Sequence, residues 1–114
     1  MLEILDIIND KDIDISGTCL RGKVSTTYDK LVEKFGEPTY GSEDSADGKV
    51  DTEWTLNFRT VTDYCDITET FVVDYITATV YNWKTGGTPY EKYDWHIGGM
   101  DGRAVELVQD ALDA

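Results

Sequence analysis

A chain of 114 residues, 40% hydrophobic and 11% aromatic, is long enough to bury one core and too short for two. That composition excludes an intrinsically disordered segment. Its 23 acids against 10 bases give a formal net charge of −13, which repels nucleic acid and anionic membrane and argues against direct contact with either.

The N-terminal MLEILDIIND is acidic, lacks the basic start of a secretory leader, and has too short an apolar run for one. No stretch approaches the length of a membrane span. Within residues 2–8, LEILDII has a scattered apolar period that suits either a short helix or a strand. Acid and isoleucine then alternate through Asp12, Ile13, Asp14 and Ile15, which predicts a half-buried extended segment. Gly17 opens a strand through Thr18–Val24.

A helix over 26–36 follows. Thr26 is the expected cap, with Asp29 three residues on, and Tyr28, Leu31, Val32 and Phe35 form one apolar face. Gly36 suits the C-terminal left-handed position and Pro38 prevents continuation. Residues 40–49, YGSEDSADGK, read as an acidic surface loop. From Val50 a strand places Trp54, Leu56 and Phe58 on one side and Asp51, Glu53, Thr55 and Asn57 on the other. The Thr- and Asp-rich stretch 59–70 is expected to be a long loop, with an extra strand over Phe71–Tyr75.

Strand character returns at Ile76 and runs to Lys84, and a second run covers Tyr93–Ile97. Between them lies the Gly86-Gly87-Thr88-Pro89 loop, and Gly98-Gly99 is expected to end the second run. Asp101 caps a final helix whose buried stripe is Ala104, Val105, Val108, Ala111 and Leu112. The order strand, helix, strands, helix predicts a single α+β domain over 1–114: an antiparallel sheet of about four strands with two main helices packed on one face.

Few residues here suit catalysis. His96 is the sole imidazole, with a titration range that fits a general base, but an ordinary strand histidine with a local hydrogen bond is the better account of it. Serines and cysteines lack a nucleophile-elbow setting, and the glycine pairs match no phosphate-binding loop. The expectation is a protein without enzymatic activity or cofactor. Glu43, Asp44, Asp47 and Asp51 supply oxygen ligands but miss the spacing of a calcium loop. Cys19 and Cys65 lack CxxC spacing and nearby histidines, so free thiols are expected and no metal site.

Two binding readings survive. Between Gly41 and Tyr75 nine acids stand against two bases. Within that region Glu43, Asp44, Asp47, Asp51 and Glu53 would attract a basic partner, and Asp51 and Glu53 project on one side of a strand about 7 Å apart. Such a row imitates phosphates, although a plain solvated surface has the same composition. Alternatively, Tyr81, Trp83, Trp95 and His96 would line an aromatic pocket for a small molecule or nucleotide signal. Tyr81 and Trp83 alternate, as do Tyr93 and Trp95, so the aromatics are either core beneath the helices or a platform on the open face.

The segments Gly17–Gly22, TYDKLVEKFGEP (27–38), KVDTEWTLNF (49–58), ATVYNWK (78–84), YDWHIGG (93–99) and AVELVQ (104–109) together resemble a family of small uncharacterised proteins carried by tailed bacteriophages. YNWK and WHIGG are the most specific parts. In that family a short turn leads to YNWK, where this chain has residues 59–75. The resemblance implies an origin rather than an activity: a phage product acting in the host bacterial cytoplasm. Small acidic phage proteins of this kind often bind and block a host protein. The resulting expectation is a stoichiometric, anti-CRISPR-like or DNA-mimic inhibitor of a basic host or defence protein.

Overall fold

The computed structural model describes residues 3–41, 52–65, 67, 69–83 and 88–113. Five strands, β1 (Glu3–Asn9), β2 (Cys19–Thr26), β3 (Glu53–Cys65), β4 (Thr70–Tyr81) and β5 (Tyr93–Gly99), form one sheet in the order β1-β3-β4-β5-β2. All neighbours are antiparallel. Two helices, α1 (Tyr28–Phe35) and α2 (Arg103–Asp113), complete an α+β fold with one more strand than the sequence predicts. The additional strand is β1, the ambiguous N-terminal run, whose pairing with β3 settles its conformation.

Alternation sets the core. On β3, Trp54, Leu56, Phe58 and Thr60 are buried on one side, joined by Ile76, Ala78 and Val80 of β4 and Trp95 and Ile97 of β5. The helices cover this face: Phe35 of α1 meets Phe58 edge-on, and Tyr28 tilts onto Trp54. From α2 the buried residues are Ala104, Leu107, Val108, Ala111 and Leu112. Leu107 replaces the expected Val105, which is half-buried and packs at the margin toward Gly22.

Thr27, not Thr26, caps α1, its hydroxyl accepting from Lys30 N–H. At the other end Gly36 turns the chain with φ of 84°, a value that strains any residue with a Cβ. The last carbonyls of the helix find donors on the sheet: Asn9 Nδ2 donates to Phe35 O and Glu37 O, and Trp54 Nε1 donates to Gly36 O. Unsatisfied helix-end carbonyls would oppose burial here, so these bonds fix where α1 sits. At α2 the Asp101 carboxylate accepts from Arg103 N–H at 2.8 Å, the expected capping role.

Three expectations are corrected. The 59–70 stretch is not a loop: β3 runs on to Cys65 and β4 starts at Thr70, taking in the expected strand over Phe71–Tyr75, so the two pair from Glu53↔Tyr81 out to Cys65↔Thr70. Threonine and valine are β-branched and suit strands, and cross-strand pairing overrides the loop-like polarity. This hairpin extends beyond both flanking strands, and the molecule measures 53 × 27 × 21 Å. Residues 10–18 are a connection with Asx turns at Asp10 and Asp14 rather than an extended run, because each carboxylate captures the N–H two residues on. Gly98 and Gly99 belong inside β5 instead of ending it. Of the predicted acidic loop over 40–49, Tyr40 makes a bridge to Glu53, and residues 42–49 lie outside the described residues.

Those two glycines are required by close approach. A Cβ on Gly99 would stand 2.5 Å from Ala104 Cβ of α2, and one on Gly98 would collide with Thr79 Oγ1 of β4. Gly99→Ala therefore pushes α2 off the sheet. Overpacking of this kind costs about 1–3 kcal/mol, which urea denaturation would register as a lower midpoint with an unchanged slope.

Candidate functional site

The face of the sheet turned away from the helices is where polar and aromatic side chains gather. Residues directly opposite one another in an antiparallel ladder share a face. The pairs Glu53↔Tyr81, Tyr81↔His96 and Lys23↔His96 therefore build a single transverse row, Glu53–Tyr81–His96–Lys23, across β3, β4, β5 and β2. At one strand spacing per step, acid and base at its two ends are separated by about 14 Å.

The row is tightly ordered in its middle. The rings of Tyr81 and His96 stack with centroids 5.5 Å apart and 26° between planes. Tyr93 reaches its hydroxyl to within 3.4 Å of His96 Nδ1, and the same hydroxyl accepts the Trp83 N–H at 3.3 Å. Just before Trp83, the fully buried Asn82 accepts the Thr52 N–H through Oδ1. Tyr93 and Asn82 thus fasten the backbone that carries Trp83, whose side chain is 43% exposed.

Two shallow clefts, each about 250 Å³, adjoin along Tyr81 and Trp83. One is apolar, closed by Leu20 and His96. The other holds Glu53 and Thr79, with Gly98 among its lining residues and a wall of Thr18 and Cys19. Thr18, with Ile15, comes from the connection between β1 and β2, and Cys19 opens β2. β1 and β2 are opposite edges of the sheet, so residues 10–18 must pass from one edge to the other, and they do so on the side away from the helices. Nine residues span up to about 30 Å, ample for four strand spacings. This cover explains why Thr55 and Thr79 are buried although they face away from the helices.

Burial raises the Glu53 carboxyl above its ordinary range. It also raises the Tyr81 phenol, with the Glu53 charge as a second cause. His96 moves the other way, lowered first by burial and then by Lys23, and is neutral near pH 7. The cleft beside Glu53 therefore gains no positive charge from the imidazole.

The residues expected to form an aromatic pocket divide. Tyr81, Trp83 and His96 come together on the open face. Trp95 does not join them, since it is fully buried on the opposite side against Trp54, with ring centroids 5.5 Å apart. The alternation that makes Trp95 core also turns its neighbour His96 outward. Of the acidic set, Glu53 is half-buried in the cleft, whereas Glu43, Asp44, Asp47 and Asp51 lie outside the described residues. Cys19, Leu20 and Thr79 complete the site and were not legible in the sequence. Leu20 and Thr79 meet there because both pair with Gly98 across β5, a register that leaves no local pattern.

Cys19 is an exposed free thiol. Among the described residues no three metal-ligating side chains gather, and no helix is long and apolar enough to cross a membrane. No family model, curated protein or solved structure matches this chain.

The raised Glu53 carboxyl has a consequence for stability. The folded state holds this proton more firmly than the unfolded chain, so its contribution is fully present in acid. It is lost as pH rises from the ordinary carboxylate range through the raised value. Urea midpoints measured from acid to neutral pH should show that this component of the fall disappears in Glu53→Gln. At neutral pH the variant should be at least as stable as the natural protein.

Proposed function

We propose that this domain is a phage accessory protein that works by stoichiometric binding, inhibiting a host nucleic-acid-handling or defence protein through an acidic surface. The mode is anti-CRISPR-like or a form of DNA mimicry. The observation that carries this reading is the net charge of −13 on 114 residues, with nine acids concentrated between Gly41 and Tyr75. A field of that sign speeds encounter with an Arg/Lys-rich surface and disfavours acidic competitors. The resemblance to phage proteins supplies the setting, the host bacterial cytoplasm.

A second reading, sequestration of a small molecule or nucleotide signal, is favoured by the meeting of Tyr81, Trp83 and His96 along adjoining clefts. Its difficulty is size and charge. Each cleft is smaller than the roughly 300–1,000 Å³ of typical ligand pockets. Among the described residues no lysine or arginine lines them to meet a phosphate.

Affinity capture from a bacterial lysate separates the two, with mass spectrometry of retained proteins and retained small molecules. The inhibitor reading expects one basic protein in equimolar amount. Association with it should slow by about 10- to 1,000-fold when Glu43, Asp44, Asp47 and Asp51 are reversed to lysine, and should weaken with salt. Capture that ignores both salt and charge reversal, or retention of a small molecule alone, overturns it.

A further inference from the structure

We infer that the cleft between Glu53 and Trp83 is a socket for one guanidinium group, the arginine side chain of a basic partner protein. This rests on the inhibitor reading and gives it a specific point of attachment. The walls have the chemistry that arginine selects. Tyr81 and Trp83 offer aromatic faces, on which a planar guanidinium stacks, and Glu53 offers a carboxylate able to accept two parallel N–H bonds. Thr18 and Thr79 add hydroxyl acceptors for the remaining donors.

Among the described residues the Glu53 carboxylate has no counter-charge within ion-pair distance, and Arg103, which pairs with Asp74 and Asp101, is remote from the cleft. A half-buried carboxylate in that condition is costly, and burial has already raised its affinity for a proton. An entering guanidinium would supply that counter-charge and offset the penalty. Lys23 cannot do so, because it stands at the far end of the transverse row, beyond Tyr81 and His96.

Size and sign argue against the competing occupants. About 250 Å³ admits one side chain more comfortably than a nucleotide. The −13 background draws in cations and repels phosphates. A neutral apolar side chain would leave Glu53 desolvated without compensation.

The full chain, labelled with nitrogen-15, reports occupancy through the Trp83 indole N–H resonance. It is titrated separately with N-acetyl-arginine N-methylamide, with the citrulline analogue, which has the same shape without the charge, and with adenosine monophosphate. The arginine probe should give a saturable shift and bind at least about tenfold more tightly than the citrulline probe. Glu53→Gln should remove most of that preference, and Trp83→Leu should weaken binding of the arginine probe, followed there through backbone amides of Tyr81 and His96. Unmoved Trp54 and Trp95 indole signals in Glu53→Gln, and an unmoved Trp54 signal in Trp83→Leu, confirm that the core is intact. Equal binding of arginine and citrulline probes, or a response to adenosine monophosphate alone, overturns the socket. The outcomes stay separable from the reading beneath it. If arginine fails while reversing the acidic loop still abolishes capture, the socket is wrong and inhibition through charge stands. If arginine binds while capture ignores charge, the reverse holds.

Discussion

Trp54 is the joint on which this fold depends. Its indole is fully buried at the middle of the helix-covered face, edge-on to Trp95 of β5 and tilted against Tyr28 of α1. Its N–H leaves the core to cap Gly36 O at the end of the same helix. One side chain therefore ties two strands and a helix together by area, by ring geometry and by a hydrogen bond that the helix end needs in any case. Asn9 serves the neighbouring carbonyls from β1, so the C-terminal end of α1 is referred to two strands of the sheet. Trp95, by contrast, buries its indole N–H without an acceptor among the described residues, and contributes chiefly by filling volume.

With one face committed to the helices, the same two-residue period delivers everything else to the opposite face. His96 is outward because Trp95 and Ile97 are inward, and Tyr81 is outward because Val80 is inward. Register then decides which outward residues meet. A shift of one residue in β4–β5 pairing would have turned Tyr81 away from His96 and dispersed the row. Gly98 makes the arrangement passable: with no Cβ it lets Thr79 come close and keeps the floor of the Glu53 cleft low.

The site joins two kinds of support. Strand register places Glu53, Tyr81 and His96 on rigid backbone, whereas Trp83 lies just past the end of β4 and is positioned by Asn82 and by the Tyr93 hydroxyl. The wall beyond is a connection between sheet edges, and its Asx turns at Asp10 and Asp14 bend it locally. A binding surface of this construction has a fixed floor and a more adaptable rim. That division suits recognition of one anchoring side chain surrounded by charge.

By itself the sequence determined the class of fold, both helices, the buried side of β3 and the excess of acid, because these follow from local period, capping and composition. Leu31 and Phe35 had to lie on the core side of α1, and Trp54, Leu56 and Phe58 had to share a face. It did not determine the extent of the β3–β4 hairpin, since threonine-rich polar residues read as loop until a partner strand supplies their hydrogen bonds. Nor could it divide the aromatics. Tyr81, Trp83, Trp95 and His96 look alike in one dimension, and only the packing of the helices onto one face made Trp95 core and left the others on the open side. The cleft itself belongs wholly to tertiary structure. Ile15 and Thr18 line the Glu53 cleft because the chain crosses from one edge of the sheet to the other, and a nine-residue connection carries no periodic signal of where it will lie.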